Sequence, residues 1–256
     1  EIGYMFGMYK RLQNEFQGGV LTGKGISYGG SLIRPEATGY GLVYFAREML
    51  ATKNKSFEGT KVSISGSGNV AQFACEKVLD LGGIPVTMSD SSGWIHDVDG
   101  IDREKLAWIM DLKNNRRGRI SEYATEFASA TFTPSQPEPS LNGLWGVDVD
   151  VALPCATQNE LNGEEAKLLV ANNVIAVGEG ANMPCTPEAV EVFQAAGILF
   201  APGKASNAGG VATSGLEMSQ NSLRLGWSRE EVEQRLEGIM VNIHKSASET
   251  AKEYGR

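Results

Sequence analysis

The sequence predicts an α/β fold, doubly wound around a mostly parallel sheet with helices on both faces, and three observations carry that prediction. Short apolar, strand-like runs alternate with helical patterns along most of the chain. The loops that follow the strand-like runs are small, polar and rich in glycine. One stretch, Val62-Ser63-Ile64-Ser65 running into Gly66-Ser67-Gly68-Asn69-Val70-Ala71, reads as a buried strand, a glycine turn and a helix start, the geometry that brings backbone amides up to a pyrophosphate.

Composition narrows the classes. With 256 residues, 41% of them hydrophobic and 21% charged, the chain can bury the core of one large or two ordinary globular domains. A formal net charge of -8 gives no basic footprint, so nucleic acid is not an expected partner. Cys75, Cys155 and Cys185 are far apart and form no C-x-x-C pair, so neither a disulfide framework nor a zinc cluster is expected, and a reducing, cytoplasmic setting fits. His96 and His244, the two histidines, are distant from each other and from the cysteines, which argues against a metal or Cys-His site. No apolar run approaches the roughly 18 residues of a membrane span, so no membrane partner is expected. The chain begins at Glu1, already inside an amphipathic pattern, and is read as a fragment.

Taken in order, residues 2–16 place Met5, Met8, Tyr9, Leu12 and Phe16 at helical spacing before Gly18-Gly19, with their Tyr and Met side chains expected on a buried face or a subunit contact. Eight glycines between Gly18 and Gly41 mark loop. A phosphate-loop reading of Gly18 to Gly25 fails at its last position, where Gly25 replaces the Ser or Thr that would hold magnesium. Pro35 and Glu36 suit the first turn of a helix continued by Tyr40, Val43, Tyr44 and residues 46–50. After the polar linker 53–58 and the strand and glycine turn, a helix over 69–81 shows Val70, Phe73, Ala74, Val78 and Leu81 on one face and stops at Gly82-Gly83. A second strand over 84–89 ends in Asp90, 24 positions after Gly66, near the spacing of about 20 expected for the carboxylate that meets an adenosine ribose. Strand, glycines, helix, strand and acid in this order read as a dinucleotide-binding fingerprint, and the competing reading is a structural glycine turn in a nucleotide-free sheet.

Further on, 102–114 reads as helix, 130–133 as a short strand and 134–146, with three prolines, as a surface loop. Strands over 147–153, 174–177 and 198–201 end in Pro154-Cys155-Ala156-Thr157-Gln158-Asn159, in Gly178-Glu179-Gly180-Ala181-Asn182-Met183-Pro184, and in residues 202–211. A helix over 163–170 lies between the first two strands, and Thr186-Pro187-Glu188 is a cap with proline at the first helical position. Ser228-Arg229-Glu230-Glu231 is a capping box that opens a long helix with Val232, Leu236, Ile239, Met240 and Ile243 inward. Ligands of such sheets bind at the carboxyl ends of the strands, so these loops are expected to converge on one crevice. Lys204 in the last loop admits a Schiff-base reading, but contact with substrate or solvent is preferred.

On these residues the chain resembles the hexameric glutamate dehydrogenases of the glutamate/leucine/phenylalanine/valine dehydrogenase superfamily. The matching stretches are Leu21-Thr22-Gly23-Lys24-Gly25, Gly29-Gly30-Ser31-Leu32-Ile33-Arg34-Pro35-Glu36-Ala37-Thr38-Gly39-Tyr40-Gly41, Ser65-Gly66-Ser67-Gly68-Asn69-Val70-Ala71, Leu153-Pro154-Cys155-Ala156-Thr157-Gln158-Asn159, Glu179-Gly180-Ala181-Asn182-Met183-Pro184, and Asn207-Ala208-Gly209-Gly210-Val211-Ala212-Thr213-Ser214-Gly215.

The resemblance implies a Rossmann-like dinucleotide-binding domain over 34–256, including the long last helix, with 1–33 a connecting helix and strand from a substrate domain upstream of Glu1. That domain would carry the catalytic lysine and aspartate, and a last helix would lie beyond Arg256. No residue of this chain is therefore expected to be a catalytic acid or base, and the isolated chain is expected to be inactive. Carried over, Gly66, Ser67, Gly68, Asn69 and Val70 should line the pyrophosphate. Thr38 and Asn207 should hold the nicotinamide carboxamide, and Ala156, Thr157, Gly180, Ala181 and Asn182 should border the ribose and adenine. Val211 and Ser214 should shape the substrate pocket and meet its distal carboxylate, with Arg34 serving the cleft electrostatically.

The implied reaction is the reversible oxidative deamination of L-glutamate to 2-oxoglutarate and ammonia, in a homohexamer of the full-length protein. For the cofactor, Asp90 favours the two free hydroxyls of NAD(H), whereas Ser89-Asp90-Ser91-Ser92-Gly93 resembles the NADP-using branch. Lys113, Arg116 and Arg117 could add charge for a 2′-phosphate, so NADP(H) is favoured. The alternatives are a leucine, valine or phenylalanine dehydrogenase, against which Ser214 argues, and a non-catalytic nucleotide-binding module.

Overall fold

In the computed structural model, which describes residues 1–136 and 143–255, the chain runs through Ile2–Gln13 (α1), Ala37–Ala51 (α2), Lys61–Ile64 (β1), Asn69–Asp80 (α3), Ile84–Pro85 (β2), Thr87–Asp90 (β3), Gly93–Asp97 (β4), Arg103–Asp111 (α4), Tyr123–Glu126 (α5) and Ala130–Pro134 (β5). It continues through Val151–Leu153 (β6), Gly163–Ala171 (α6), Ala176–Gly178 (β7), Pro187–Ala196 (α7), Leu199–Ala201 (β8), Gly203–Ser206 (α8), Gly209–Leu223 (α9) and Arg229–Glu253 (α10).

Five strands form a parallel sheet in the order β2-β1-β6-β7-β8. The chain steps outward from β1 to β2 and then returns to build β6, β7 and β8 on the other side of β1. Strand order therefore reverses between β1 and β6, which pair with Val62 opposite Val151 and Ile64 opposite Leu153.

Strand alternation supplies two apolar layers. Val62, Ile64, Val151, Leu153 and Ala176 join Leu42 of α2, Val78 of α3 and Leu236 of α10 in one core. Ala152 and Val177, on the opposite face, join Leu169 of α6, Phe193 of α7 and Trp145 in the other. The doubly wound, mostly parallel α/β architecture is thus present, and no helix among the described residues is long and apolar enough to cross a membrane.

Several elements depart from the sequence reading. The second strand is two strands. Pro85 has no N–H to extend the ladder, and after Val86 donates to the Val62 carbonyl (2.9 Å) the chain leaves the parallel sheet. The Thr87 hydroxyl accepts from the Ile64 N–H at 2.9 Å, and β3 pairs antiparallel with β4, which pairs with β5. The sequence reading omits β4, because its apolar Trp94-Ile95 is too short to show a period. It also omits the helix α9, whose opening Gly209-Gly210 reads as loop.

α1 buries only Phe6, whereas Tyr4, Met5, Met8, Leu12 and Phe16 are exposed in this chain. Where a connecting strand was expected, 14–33 hold two 3-10 turns, Gly18–Val20 and Ile26–Tyr28. Part of the 134–146 loop lies outside the described residues, and its described end is a 3-10 turn, Leu144–Gly146.

Candidate functional site at the carboxyl edge of the sheet

The end of β1 is tied into both neighbours. The Ser65 hydroxyl accepts from the Cys155 N–H at 2.9 Å, and the Ser89 hydroxyl accepts from the Gly66 N–H at 2.7 Å. Gly66 has φ of +82°, and a Cβ there would sit 3.0 Å from the Ala156 Cα, so only glycine lets the turn pass under the β6 loop. α3 then begins with Gly68 at its N-cap and no side chain capping it, which leaves its first-turn amides available to an anion.

The loop after β6 is held from below by Glu160. Its Oε1 accepts from the N–H groups of Ala156 (2.9 Å) and Thr157 (3.3 Å), while its Oε2 is buried without a partner. Burial pushes its carboxyl up to about 7, against the lowering effect of the two amide hydrogen bonds. Burial likewise raises the thiol of Cys155 well above its usual value, so this pocket-lining cysteine is no reactive thiolate.

The β7 and β8 loops interlock. Gly180 and Ala181 donate to the Pro154 carbonyl at 2.9 and 3.0 Å, and Gly203 donates to Glu179 Oε2 at 2.6 Å. Asn207 Nδ2 donates to the Ala181 carbonyl (3.2 Å) and Asn182 Oδ1 (2.9 Å).

These loops, α2 and α9 enclose a pocket of about 730 Å³, within the range of small-molecule sites. It brings together Arg34, Thr38, Val70, Ala156, Thr157, Gly180, Ala181, Asn182, Asn207, Val211 and Ser214 from the sequence reading, and adds Thr22, Cys155, Gln158 and Gly210. At one end Arg34 Nε donates to the Ser214 hydroxyl at 3.1 Å. Thr22 and Gln158 stand in the motifs quoted above, but neither carries a period or charge that marks it. Gly66, Ser67, Gly68 and Asn69 are not among the lining residues, though they lead directly into Val70.

Asp90 and Ser91 lie outside that pocket, at the end of β3. Both Asp90 oxygens are engaged. Oδ1 accepts from the Ser92 N–H (2.8 Å) and hydroxyl (2.5 Å), and Oδ2 from Lys113 Nζ (2.7 Å) and the Ile120 N–H (2.9 Å). Burial would raise this carboxyl, but the bonds from Lys113, Ser92 and Ile120 hold it below the usual carboxylate range. Arg116 turns away to Asp111 (2.8 Å) and over the Trp108 ring, and Arg117 caps the turn in the left-handed region. The cation at Ser91 is Arg119, whose Nη1 donates to the Ser91 hydroxyl at 2.7 Å. The sequence reading looked to Lys113, Arg116 and Arg117 for this charge and missed Arg119, because only the fold brings it to the turn after β3.

Comparison with known proteins places the fold in a family. The chain is 62% identical over 244 residues to an NAD(P)-specific glutamate dehydrogenase of Xylanibacter ruminicola, covering 95% of this chain and 53% of that protein. It is 56% identical over 249 residues to an NADP-specific glutamate dehydrogenase of Escherichia coli, covering 97% of this chain and 54% of that protein. A crystal structure of Plasmodium falciparum glutamate dehydrogenase superposes with a TM-score of 0.94 at 46% identity, over 99% of this chain and 53% of that one. The chain thus spans about half the length of the curated relatives it matches. The family model for glutamate/leucine/phenylalanine/valine dehydrogenases matches residues 29–256, and the chain belongs to that family.

Proposed function

We propose that this chain is the dinucleotide-binding half of a glutamate dehydrogenase that interconverts L-glutamate with 2-oxoglutarate and ammonia and prefers NADP(H), within a cytoplasmic homohexamer. The observation that carries the reading is the pocket beside the strand-order reversal, lined by Val70 of α3 and by Arg34 and Ser214, which bond to each other. The residues suit a dinucleotide. Gly66 admits close backbone approach, the start of α3 is uncapped, and Arg119, Ser91 and Lys113 gather beside Asp90. With Asp90 neutralised by Lys113, Arg119 leaves a net positive charge for a 2′-phosphate.

The cofactor, when bound, accepts or donates the hydride. The chain's own groups bind and orient. The amides of Gly68, Asn69 and Val70 hold the pyrophosphate. Thr38 and Asn207 hold the carboxamide, fixing the ring face turned to the substrate. Ser214, with Arg34 donating to its oxygen, keeps its own proton free to donate to the substrate's distal carboxylate, and the side chain of Val211 bounds the pocket. Acid and base groups are assigned to the half of the relatives' length that lies outside this chain. Asp90 serves by positioning Ser92 and Lys113 rather than by reading the ribose. A leucine, valine or phenylalanine substrate fits less well, because its apolar side chain would leave the Ser214 hydroxyl and Arg34 without a polar partner.

The test is an assay of the full-length protein with 2-oxoglutarate and ammonia, comparing NADPH with NADH. Turnover with a higher kcat/KM for NADPH is expected. Turnover of branched or aromatic 2-oxo acids in place of 2-oxoglutarate would overturn the substrate assignment, and equal use of NADH would overturn the cofactor assignment.

A further inference from the structure

α9 presents Val211 and Ser214 to the pocket, and its buried face holds Thr213, Glu217 and Gln220. Glu217 Oε1 lies 2.6 Å from Lys24 Nζ, and neither side chain has exposed surface. Glu217 also accepts from the N–H groups of Gly23 (2.8 Å) and Lys24 (3.4 Å). Lys24 Nζ donates further to Asn221 Oδ1 (3.0 Å) and to the Leu21 carbonyl. Gln220 Nε2 donates to the Ser31 hydroxyl at 2.7 Å, and Asn221 Nδ2 to the Gly29 carbonyl.

One helix face therefore grips the chain from Leu21 to Ser31. That segment begins at Thr22 and leads through Ile33 into Arg34, and Thr22 and Arg34 both line the pocket. Ile33 is fully buried with φ of +65°, a conformation costly for a β-branched residue and kept only where the flanks are fixed. Its flanks are the gripped segment on one side and Arg34, bonded to Ser214, on the other.

A dehydrated ion pair adds little net stability, because desolvation offsets the attraction, but it enforces one geometry, since neither charge tolerates losing its partner. We propose that Lys24 and Glu217 are positioning residues: their clasp fixes Thr22 and Arg34 against Ser214 and so sets how well the pocket holds the substrate, without touching the dinucleotide's part of it. This rests on the reading of the Arg34–Ser214 end as the substrate end.

The test compares the full-length wild type with Glu217→Gln and with Lys24→Met/Glu217→Gln, using whichever 2-oxo acid the wild type reduces. Both variants are expected to raise the KM for that acid about tenfold or more while the KM for NADPH moves less than about twofold. Hydrogen exchange over residues 21–34 should accelerate, and that over 62–81 should not. The double variant removes both buried charges, so it should recover the thermal midpoint lost by Glu217→Gln without recovering the KM. A KM that recovers with the midpoint, or an NADPH KM that rises in step, gives the pair a structural role only and overturns the proposal. Unchanged exchange over 21–34 overturns it as well. A wild type inactive on 2-oxoglutarate would instead overturn the assigned function and leave the exchange measurement to decide the clasp.

Discussion

Glu160 is where residue chemistry most directly reaches the pocket, because its buried carboxyl holds the Ala156 and Thr157 amides. Its folded value, about 7, lies above the ordinary 4.5, so between those limits the folded chain keeps a proton that the unfolded chain has released. The stability it contributes is complete below pH 4.5 and is lost as pH rises through 7. Glu160→Gln should remove that slope. Relative to the variant, the wild type should lose about 2–3 kcal/mol between about pH 5 and 8, measured by urea unfolding. Arg119→Ser should raise the KM for NADPH about tenfold or more and leave that for NADH nearly unchanged, since only the former carries the phosphate. Ser214→Ala should raise the KM for glutamate about tenfold with the cofactor KM unchanged, and equal effects on both would remove its assigned role.

At the scale of elements, the helices are set by local chemistry where it exists. Ser228 accepts from the Glu231 N–H (3.2 Å) and Glu231 accepts from the Ser228 N–H (2.8 Å), as the sequence pattern foretells, and Thr186 caps α7. Such boundaries are legible because cap and partner lie within four residues. The strand β4 and the helix α9 were not legible, since β4 depends on pairing with β3 and β5, and α9 on packing and bonds to segment 21–31. Contact between α2 and α3 is closer still. A Cβ on Gly39 would lie 2.5 Å from the Ala74 nitrogen and 2.7 Å from the Val70 carbonyl oxygen, backbone that cannot yield. Gly39→Ala should therefore cost about 2–3 kcal/mol and weaken dinucleotide binding, because it shifts α2, which carries Thr38, against the start of α3.

For the whole molecule, the strand-end loops converge because strand order reverses between β1 and β6. The convergence was legible from alternating elements and glycine-rich loops, whereas most of the pocket's lining was named from the resemblance to a known family, because no local pattern marks those residues one by one. Thr22 in the lining, and Arg119 beside Ser91 outside the pocket, were not assigned a role, because the bonds of the neighbouring Gly23 and Lys24 to α9 and of Arg119 to the turn after β3 decide where they sit. These loops are proposed to form a dinucleotide site tuned to a 2′-phosphate. A fluorescence titration of this 256-residue chain with NADPH and with NADH tests it most directly. Saturable 1:1 binding, with NADPH at least about tenfold tighter, is the expected result. No saturable binding, or NADH bound as tightly as NADPH, would contradict it.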